Sequence, residues 1–200
     1  KVSVERAVEG APEGTPKQEL TFDLRRSRIN VATVKGWKRT GAKEDQWDWF
    51  IDRENHIGYV RLHQFADSTS NELDRAAAAM KKEGLSALIL DLRFNPGGLL
   101  DQAVKVSRRF VDKEKARIVS VQGQGGQLES TEFSEPSQAT LAGIPVIVLV
   151  NEGSASASEI VSGCLAANRT AAGLDVLVLG SRSYGKGSVQ NVWPIPPESM

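Results

Sequence analysis

Two apolar runs, Leu85 to Leu92 and Ile144 to Val150, each break at the carboxyl end into a turn of small residues, and this pairing constrains the fold most. Runs with so few polar interruptions are expected of strands covered on both faces, as in parallel sheets, rather than of half-solvated strands that alternate. The first leads through Asp91-Leu-Arg-Phe-Asn-Pro-Gly-Gly-Leu99 into helical periodicity from Leu99 to Val111. The second leads through Asn151-Glu-Gly-Ser-Ala-Ser-Ala-Ser-Glu159 into a helix from Ser156 to about Ala167. Before both, Ile57 to Phe65 alternates as a strand, and a helix follows from Ser70 to Glu83, with Ser68, Thr69 or Ser70 to cap it and Gly84 to end it. Strands alternating with helices imply an α/β fold of βαβ units with right-handed crossovers. In such sheets ligands gather at the carboxyl ends of strands, where both small-residue turns fall.

The serine turn is the first candidate for chemistry. A strand-to-helix turn lifts a hydroxyl to the sheet edge and lets backbone N–H groups converge on whatever the serine attacks. Serine needs a base. Thirty positions beyond Ser156, Tyr184-Gly-Lys-Gly-Ser-Val-Gln190 sets Lys186 between two glycines after a strand at Val176 to Leu179. A lysine serves as base when an apolar or cationic setting favours its neutral form. Nucleophile and base, each on a turn, suggest Ser/Lys peptide-bond hydrolysis. Ser154, Ser156 and Ser158 alternate, and the residues alone do not choose among them. The N–H of Ala157 at the helix start is one candidate oxyanion donor, and Asn95-Pro-Gly-Gly98 is placed to supply another. The rival is a Ser-His-Asp triad, for which only His56 and His63 are available.

The rest of the chain adds elements but little chemistry. Val2 and Val4 mark a strand within Lys1 to Glu9, Gly10 to Pro16 reads as a linker, and Leu20 to Leu24 and Ile29 to Val34 alternate as strands. Gly36 to Gln46 is a charged connection, Trp47 to Ile51 leads into the next strand, and Arg117 to Val121 is another. Gln122 to Gln138 is a polar excursion whose glycines, Gln122-Gly-Gln-Gly-Gly126, read as a flexible hairpin, since no Lys-Ser/Thr follows to make a phosphate loop. Lys plus Arg and Asp plus Glu are 25 each, so no global basic field attracts nucleic acid. No Cys/His cluster has metal-ligand spacing, and the single cysteine, Cys164, reads as a small core residue. Asn168-Arg-Thr170 fits a glycosylation sequon, a pattern common by chance.

Taken in order, Asp91 to Leu99, the serine run and Tyr184 to Gln190 resemble the tail-specific or C-terminal processing proteases, a Ser/Lys peptidase family with a crotonase/Clp-protease-like core. The resemblance covers roughly residues 25–192. It implies an α/β core of βαβ units with an N-terminal strand-rich part. Residues 1–16 would be the end of a PDZ domain with its linker, since Val2-Ser-Val-Glu-Arg6 looks like that domain's last strand, and residues 17–200 a peptidase core cut short at its C-terminus. It selects Ser156 as nucleophile, Lys186 as base and Gln190 as the residue orienting the lysine amine. Gly98, with Gly97 as the neighbouring choice, matches the second oxyanion donor beside Ala157. Asp91 and Arg93 are left as a structural ion pair. The implied reaction is endoproteolysis near the C-terminal tail of protein or peptide substrates with apolar tails, through an acyl-enzyme and without a cofactor. The implied place is the bacterial periplasm or cell envelope, or an organellar lumen; no nucleic-acid partner is implied, and oligomerisation is allowed.

One departure is that the serine-to-lysine spacing is longer here than is common in the family. The surplus is expected in a helix-to-strand loop at Ala167 to Asp175. The short C-terminal side leads us to expect Ser156 and Lys186 beyond hydrogen-bond contact, with Gln190 displaced. Two rivals remain on the same fold. One is a non-catalytic ligand- or peptide-binding protein, akin to the family's retinoid-binding relatives, which would be expected to lose the Ser/Lys pair. The other is a crotonase-type thioester enzyme, which would not need it.

Overall fold

The computed structural model describes residues 1–7, 9, 10, 12, 15–25, 31–42 and 46–190. It divides into two units, Lys1–Val31 and Ala32–Met200. In the first, strands β1 (Val2–Arg6) and β2 (Gln18–Phe22) pair antiparallel, with Val4 opposite Leu20. The strand-rich start of the chain therefore runs past residue 16.

The second unit carries, in order, β3 (Val34–Lys35), β4 (Lys38–Arg39), β5 (Trp47–Asp48), β6 (Phe50–Asp52), β7 (Ile57–Leu62), α1 (Thr69–Lys82), β8 (Ala87–Asp91), α2 (Leu100–Arg108), β9 (Arg117–Gln122), β10 (Leu128–Phe133), β11 (Val146–Val150), α3 (Ala157–Ala171) and β12 (Val176–Gly180). The main sheet has the order β12-β11-β8-β7-β3, with β6 also paired to β7. β7, β8, β11 and β12 are parallel neighbours, while β3 and β6 share the outer edge of β7 antiparallel to it. Hence the carboxyl ends of four strands, and the turns that leave them, lie along one edge, as the alternation of strand and helix implied. The fold is α/β.

The core lies between this sheet and the three helices. Val60, Leu62, Leu88, Leu90 and Val148 point into it and are almost wholly buried, against Leu73, Ala76 and Met80 of α1, Val106 of α2, and Val161 and Leu165 of α3. Each such side chain stabilises the fold by about 1.5–3 kcal/mol relative to exposure. The other sheet face differs from the expectation of strands covered twice. There Ile147, Leu177 and Leu179 are 37%, 43% and 43% exposed, so among the described residues β11 and β12 are buried on one side.

Other differences are local. α1 starts at Thr69 without a side-chain cap from Ser68; the Ser70 N–H instead donates to Gln102 Oε1 of α2 at 3.1 Å, and Gly84 closes the far end in the left-handed region. The expected strand at 29–34 falls partly outside the described residues, and pairing begins only at Val34, opposite Leu62. The polar excursion after β9 contains a strand, β10, which returns antiparallel across a glycine turn closed by Gly123 N–H to Gln127 O at 2.8 Å. α3 runs to Ala171, so much of the loop expected at 167–175 is helix. Asn168 lies inside that helix, buried, with its amide donating to Cys164 O and Arg117 O, which removes it as a surface sequon. Cys164 is buried, as a core residue should be. Among the described residues no helix is long and apolar enough to cross a membrane.

Candidate active site

The turn after β8 is fixed before any ligand arrives. Asn95 is fully buried, donating its amide to Leu62 O at 2.9 Å and accepting the Gly97 N–H at 2.9 Å. Its main-chain carbonyl accepts the Ala155 N–H at 3.0 Å and the Ser158 hydroxyl at 2.9 Å, tying this turn to the serine turn. Gly98 forms a parallel bridge with Phe65, in which Phe65 donates to Gly97 O and Leu99 donates to Phe65 O. That pattern occupies the peptide groups on both sides and leaves the Gly98 N–H without a protein acceptor among the described residues. Only glycine fits: its φ is +144°, and a Cβ there would lie 2.1 Å from Phe65 O.

The three serines separate by what their hydroxyls do. Ser154 is buried, donates to Leu92 O at 2.8 Å and accepts the Asn151 N–H, bracing the turn. Ser158 is buried and bonded to Asn95 O. Ser156 sits between them, only partly buried, with φ +53° and ψ −113°, a conformation disfavoured for a residue with a Cβ. It precedes α3, so Ala157 is the first helical residue and its N–H has no acceptor within the helix. Nor does another described residue accept it. A Cβ on Gly97 would lie 2.8 Å from Ser156 Cβ and 3.0 Å from Ala157 N, so the two turns touch. Two unpartnered N–H groups thus flank one strained serine.

Beside them is a cavity of about 190 Å³ lined by Gly98, Ser156, Ala157, Lys186 and Gln190. Its apolar wall is Leu99, Leu100, Ile160 and Val189. All five residues singled out from the sequence, Gln190 included, line this cavity. Among the described residues no hydrogen bond joins Ser156 Oγ to Lys186 Nζ, as expected of a pair beyond contact. Neither His56 nor His63 lines the cavity, which removes the histidine rival. Among the described residues no cluster of His, Cys, Asp and Glu is suited to a metal ion.

Glu159, which the sequence analysis gave no role, ties the site together. Oε2 accepts the N–H of Ser156 at 2.8 Å and of Lys186 at 2.9 Å. Oε1 accepts the Ser183 hydroxyl at 2.7 Å and the Gly185 N–H at 2.6 Å. One carboxylate therefore joins the backbone of Ser156 to the lysine loop. Burial alone would raise its pKa, but these four donors together outweigh burial and hold it below the usual range. The only sequence signal was a glutamate three residues after a helix-starting serine.

Asp91 and Arg93 form the ion pair expected of them. Asp91 is fully buried, with Arg93 Nη2 at 2.7 Å and the Tyr59 hydroxyl donating at 2.6 Å. Burial opposes its charge, yet Arg93 and Tyr59 keep its pKa lowered, while burial and the same bond push Tyr59 up to about 12.

The geometry has counterparts among known proteins. The model of Peptidase family S41 matches residues 56–200, and the chain belongs to that family. It is 35% identical over 173 residues to a probable CtpA-like serine protease of Staphylococcus haemolyticus, covering 86% of this chain and 30% of that protein. It is 42% identical over 146 residues to a carboxy-terminal-processing protease of Bartonella bacilliformis, covering 71% and 32%. A solved photosystem II D1 C-terminal processing protease superposes with a TM-score of 0.62 at 29% identity, covering 95% of this chain and 46% of that one. The chain thus spans about a third of the length of the curated relatives it matches.

Proposed function

We propose that this chain carries the catalytic core of a serine endopeptidase that cuts near the C-terminal tail of protein substrates. The observation that carries this reading is the pair of unpartnered N–H groups, Gly98 and Ala157, beside Ser156 in a cavity shared with Lys186. Ser156 Oγ attacks the scissile carbonyl carbon while the Lys186 amine takes the hydroxyl proton. The oxyanion is held by the Gly98 and Ala157 N–H groups, which are fixed in advance and so lose no reorganisation energy at the transition state. The C–N bond then breaks, Lys186 returns the proton to the leaving amine, and an ester on Ser156 remains. Lys186 next takes a proton from water, whose oxygen attacks the ester, and returns it to Ser156 Oγ as the ester C–O bond breaks and the acid product leaves. Gln190, on the same cavity, orients the amine.

The apolar wall of Leu99, Leu100, Ile160 and Val189 supports substrates with apolar residues at the cleavage site. The names of the relatives support tail processing. On the same resemblance we assign residues 1–16 to the end of a PDZ domain and 17–200 to the peptidase core. The protein would act in the bacterial periplasm or envelope, or in an organellar lumen. A binding protein on this fold has no use for a strained serine between two free N–H groups, which favours the enzyme.

The test is cleavage of a peptide with an apolar C-terminus by the full-length protein. Ser156→Ala is expected to abolish turnover, and Lys186→Arg to do nearly the same because arginine stays charged. Near-normal turnover in Ser156→Ala, with loss in Ser154→Ala or Ser158→Ala, would refute the assignment. Peptide binding without turnover in the unaltered protein would support the binding-protein reading.

A further inference from the structure

The site leaves one large apolar side chain unexplained. Phe94 is 63% exposed, and its φ is +60°, in the left-handed region that a phenylalanine enters at a cost. The turn needs that backbone, but it does not need that ring. Asparagine or glycine takes up positive φ readily, keeps the main-chain N–H that donates to Asn151 Oδ1 at 2.8 Å, and exposes no apolar surface. The neighbourhood instead accommodates the phenylalanine. A Cβ on Gly153 would come within 2.9 Å of Phe94 Cα and 3.0 Å of ring atom Cδ1, so the ring packs against the bare backbone of the serine turn. Its position is firmly set, because the next residue, Asn95, is locked to Leu62, Gly97, Ala155 and Ser158.

Phe94 is also outside the wall of the cavity that holds Ser156 and Lys186. The turn that carries Gly98 thus presents apolar surface in two separate places, the cavity wall and the Phe94 ring packed on the serine turn at Gly153. Strain and exposure of a rigidly mounted aromatic beside such a site are what a specificity contact requires, since a preorganised ring gains contact area with little loss of side-chain freedom. We infer that Phe94 is a specificity-determining residue which receives a second apolar side chain of the polypeptide substrate, at a position other than the one entering the cavity. This rests on the protease reading.

The experiment profiles a peptide library, varied one position at a time around the cleaved bond, with the full-length protein and its Phe94→Asn and Phe94→Leu variants. In Phe94→Asn, preference for an apolar residue is expected to fall roughly tenfold in kcat/KM at one position, mainly through KM, with the other positions unchanged. Phe94→Leu should recover part of that preference, and the melting temperature of Phe94→Asn should match or exceed that of the parent because the backbone is relieved. An equal fall in kcat for every peptide, or an unchanged profile, would overturn the inference. If the parent turns over no peptide, the protease reading fails by itself, and binding still decides this one. Fluorescent library peptides titrated onto Ser156→Ala should lose affinity on adding Phe94→Asn only when the apolar residue is present, and equal affinity would overturn the proposal.

Discussion

The two halves of the candidate site are built differently. The serine and oxyanion turns interlock through buried side chains: Asn95, Ser154 and Ser158 each satisfy main-chain groups of the other turn or of a core strand. The lysine loop, residues 181–190, leaves β12 and crosses exposed ground. It is held by the Tyr184 N–H on Ser154 O at 3.0 Å, by Ser181 on Glu152, and above all by the Glu159 carboxylate. Buried networks are costly to leave half satisfied and so fix one geometry. A loop fastened mainly by one carboxylate and a few surface hydrogen bonds can shift its base without disturbing the core. On the proposed reading, the difference teaches that the nucleophile and oxyanion donors are preset, whereas the placement of the base is adjustable.

The sharpest way to break this comparison is Gly98→Ala in the buried half. The new Cβ meets Phe65 O and the backbone sits at positive φ, so stability should drop by about 2–3 kcal/mol or more. Peptidase activity should fall by about 10²–10³-fold, as for loss of an oxyanion donor. Denaturant titration and kcat/KM read both, and a normal midpoint with normal turnover would contradict the preset half. A smaller effect is expected from Glu159→Gln. The amide replaces one acceptor oxygen by a donor that faces other donors, so the loop should loosen and kcat fall by roughly ten- to a hundredfold through misplacement of the base. The fold should survive, with faster amide exchange confined to 181–190. A collapse in melting temperature equal to that of Gly98→Ala would show that the two halves are not separate.

How far these features were legible follows from how local their causes are. The four parallel strands, the two turns and the start of α3 are written in runs of neighbouring residues, so they could be read directly. The hairpin at Gln122 to Gly126 was read, but not the extent of its returning strand β10, because Leu128-Glu-Ser-Thr-Glu-Phe133 is mostly exposed and carries no apolar run; its pairing with β9 supplies what its composition does not. The end of α3 was missed because Asn168 and Thr170 look like loop residues, yet the Asn168 amide is used by Cys164 O and Arg117 O. Among the three serines, exposure separates Ser156 from its neighbours, and exposure depends on where Leu92 O and Asn95 O come to lie. Glu159 was visible as a helix-start glutamate, but its grip on Gly185 and Lys186 spans 26 and 27 residues and exists only once the sheet edge is assembled.

The smallest expected effect is on acid stability, and it separates the two halves once more. Glu159 and Asp91 both have pKa values lowered in the folded state, so each contributes stability that is present above its unfolded pKa of about 4 and is lost as pH falls through the folded value. Asp48, Asp52 and Asp101 are lowered too, but they lie nearer solvent, where screening weakens their share. Melting temperature should therefore be flat between about pH 7 and 8, fall slightly below about pH 6.5 because burial and Lys35 lower the His63 pKa, and decline further below about pH 4. In Glu159→Gln the decline should be shallower, because one titrating carboxylate is gone, and the midpoint at neutral pH should fall by only the modest share that this partly exposed carboxylate supplies. Asp91→Asn should flatten the acid decline too, but lose more at neutral pH. It leaves Arg93 and Tyr59 facing an amide and costs about 2 kcal/mol at neutral pH, less than a fully buried pair because the guanidinium is half in solvent. Melting curves from pH 3 to 8 on the three proteins decide the matter. If Glu159→Gln lost as much at pH 7 as Asp91→Asn does, the lysine loop would belong to the core's stability and the contrast between a preset nucleophile and an adjustable base would fail.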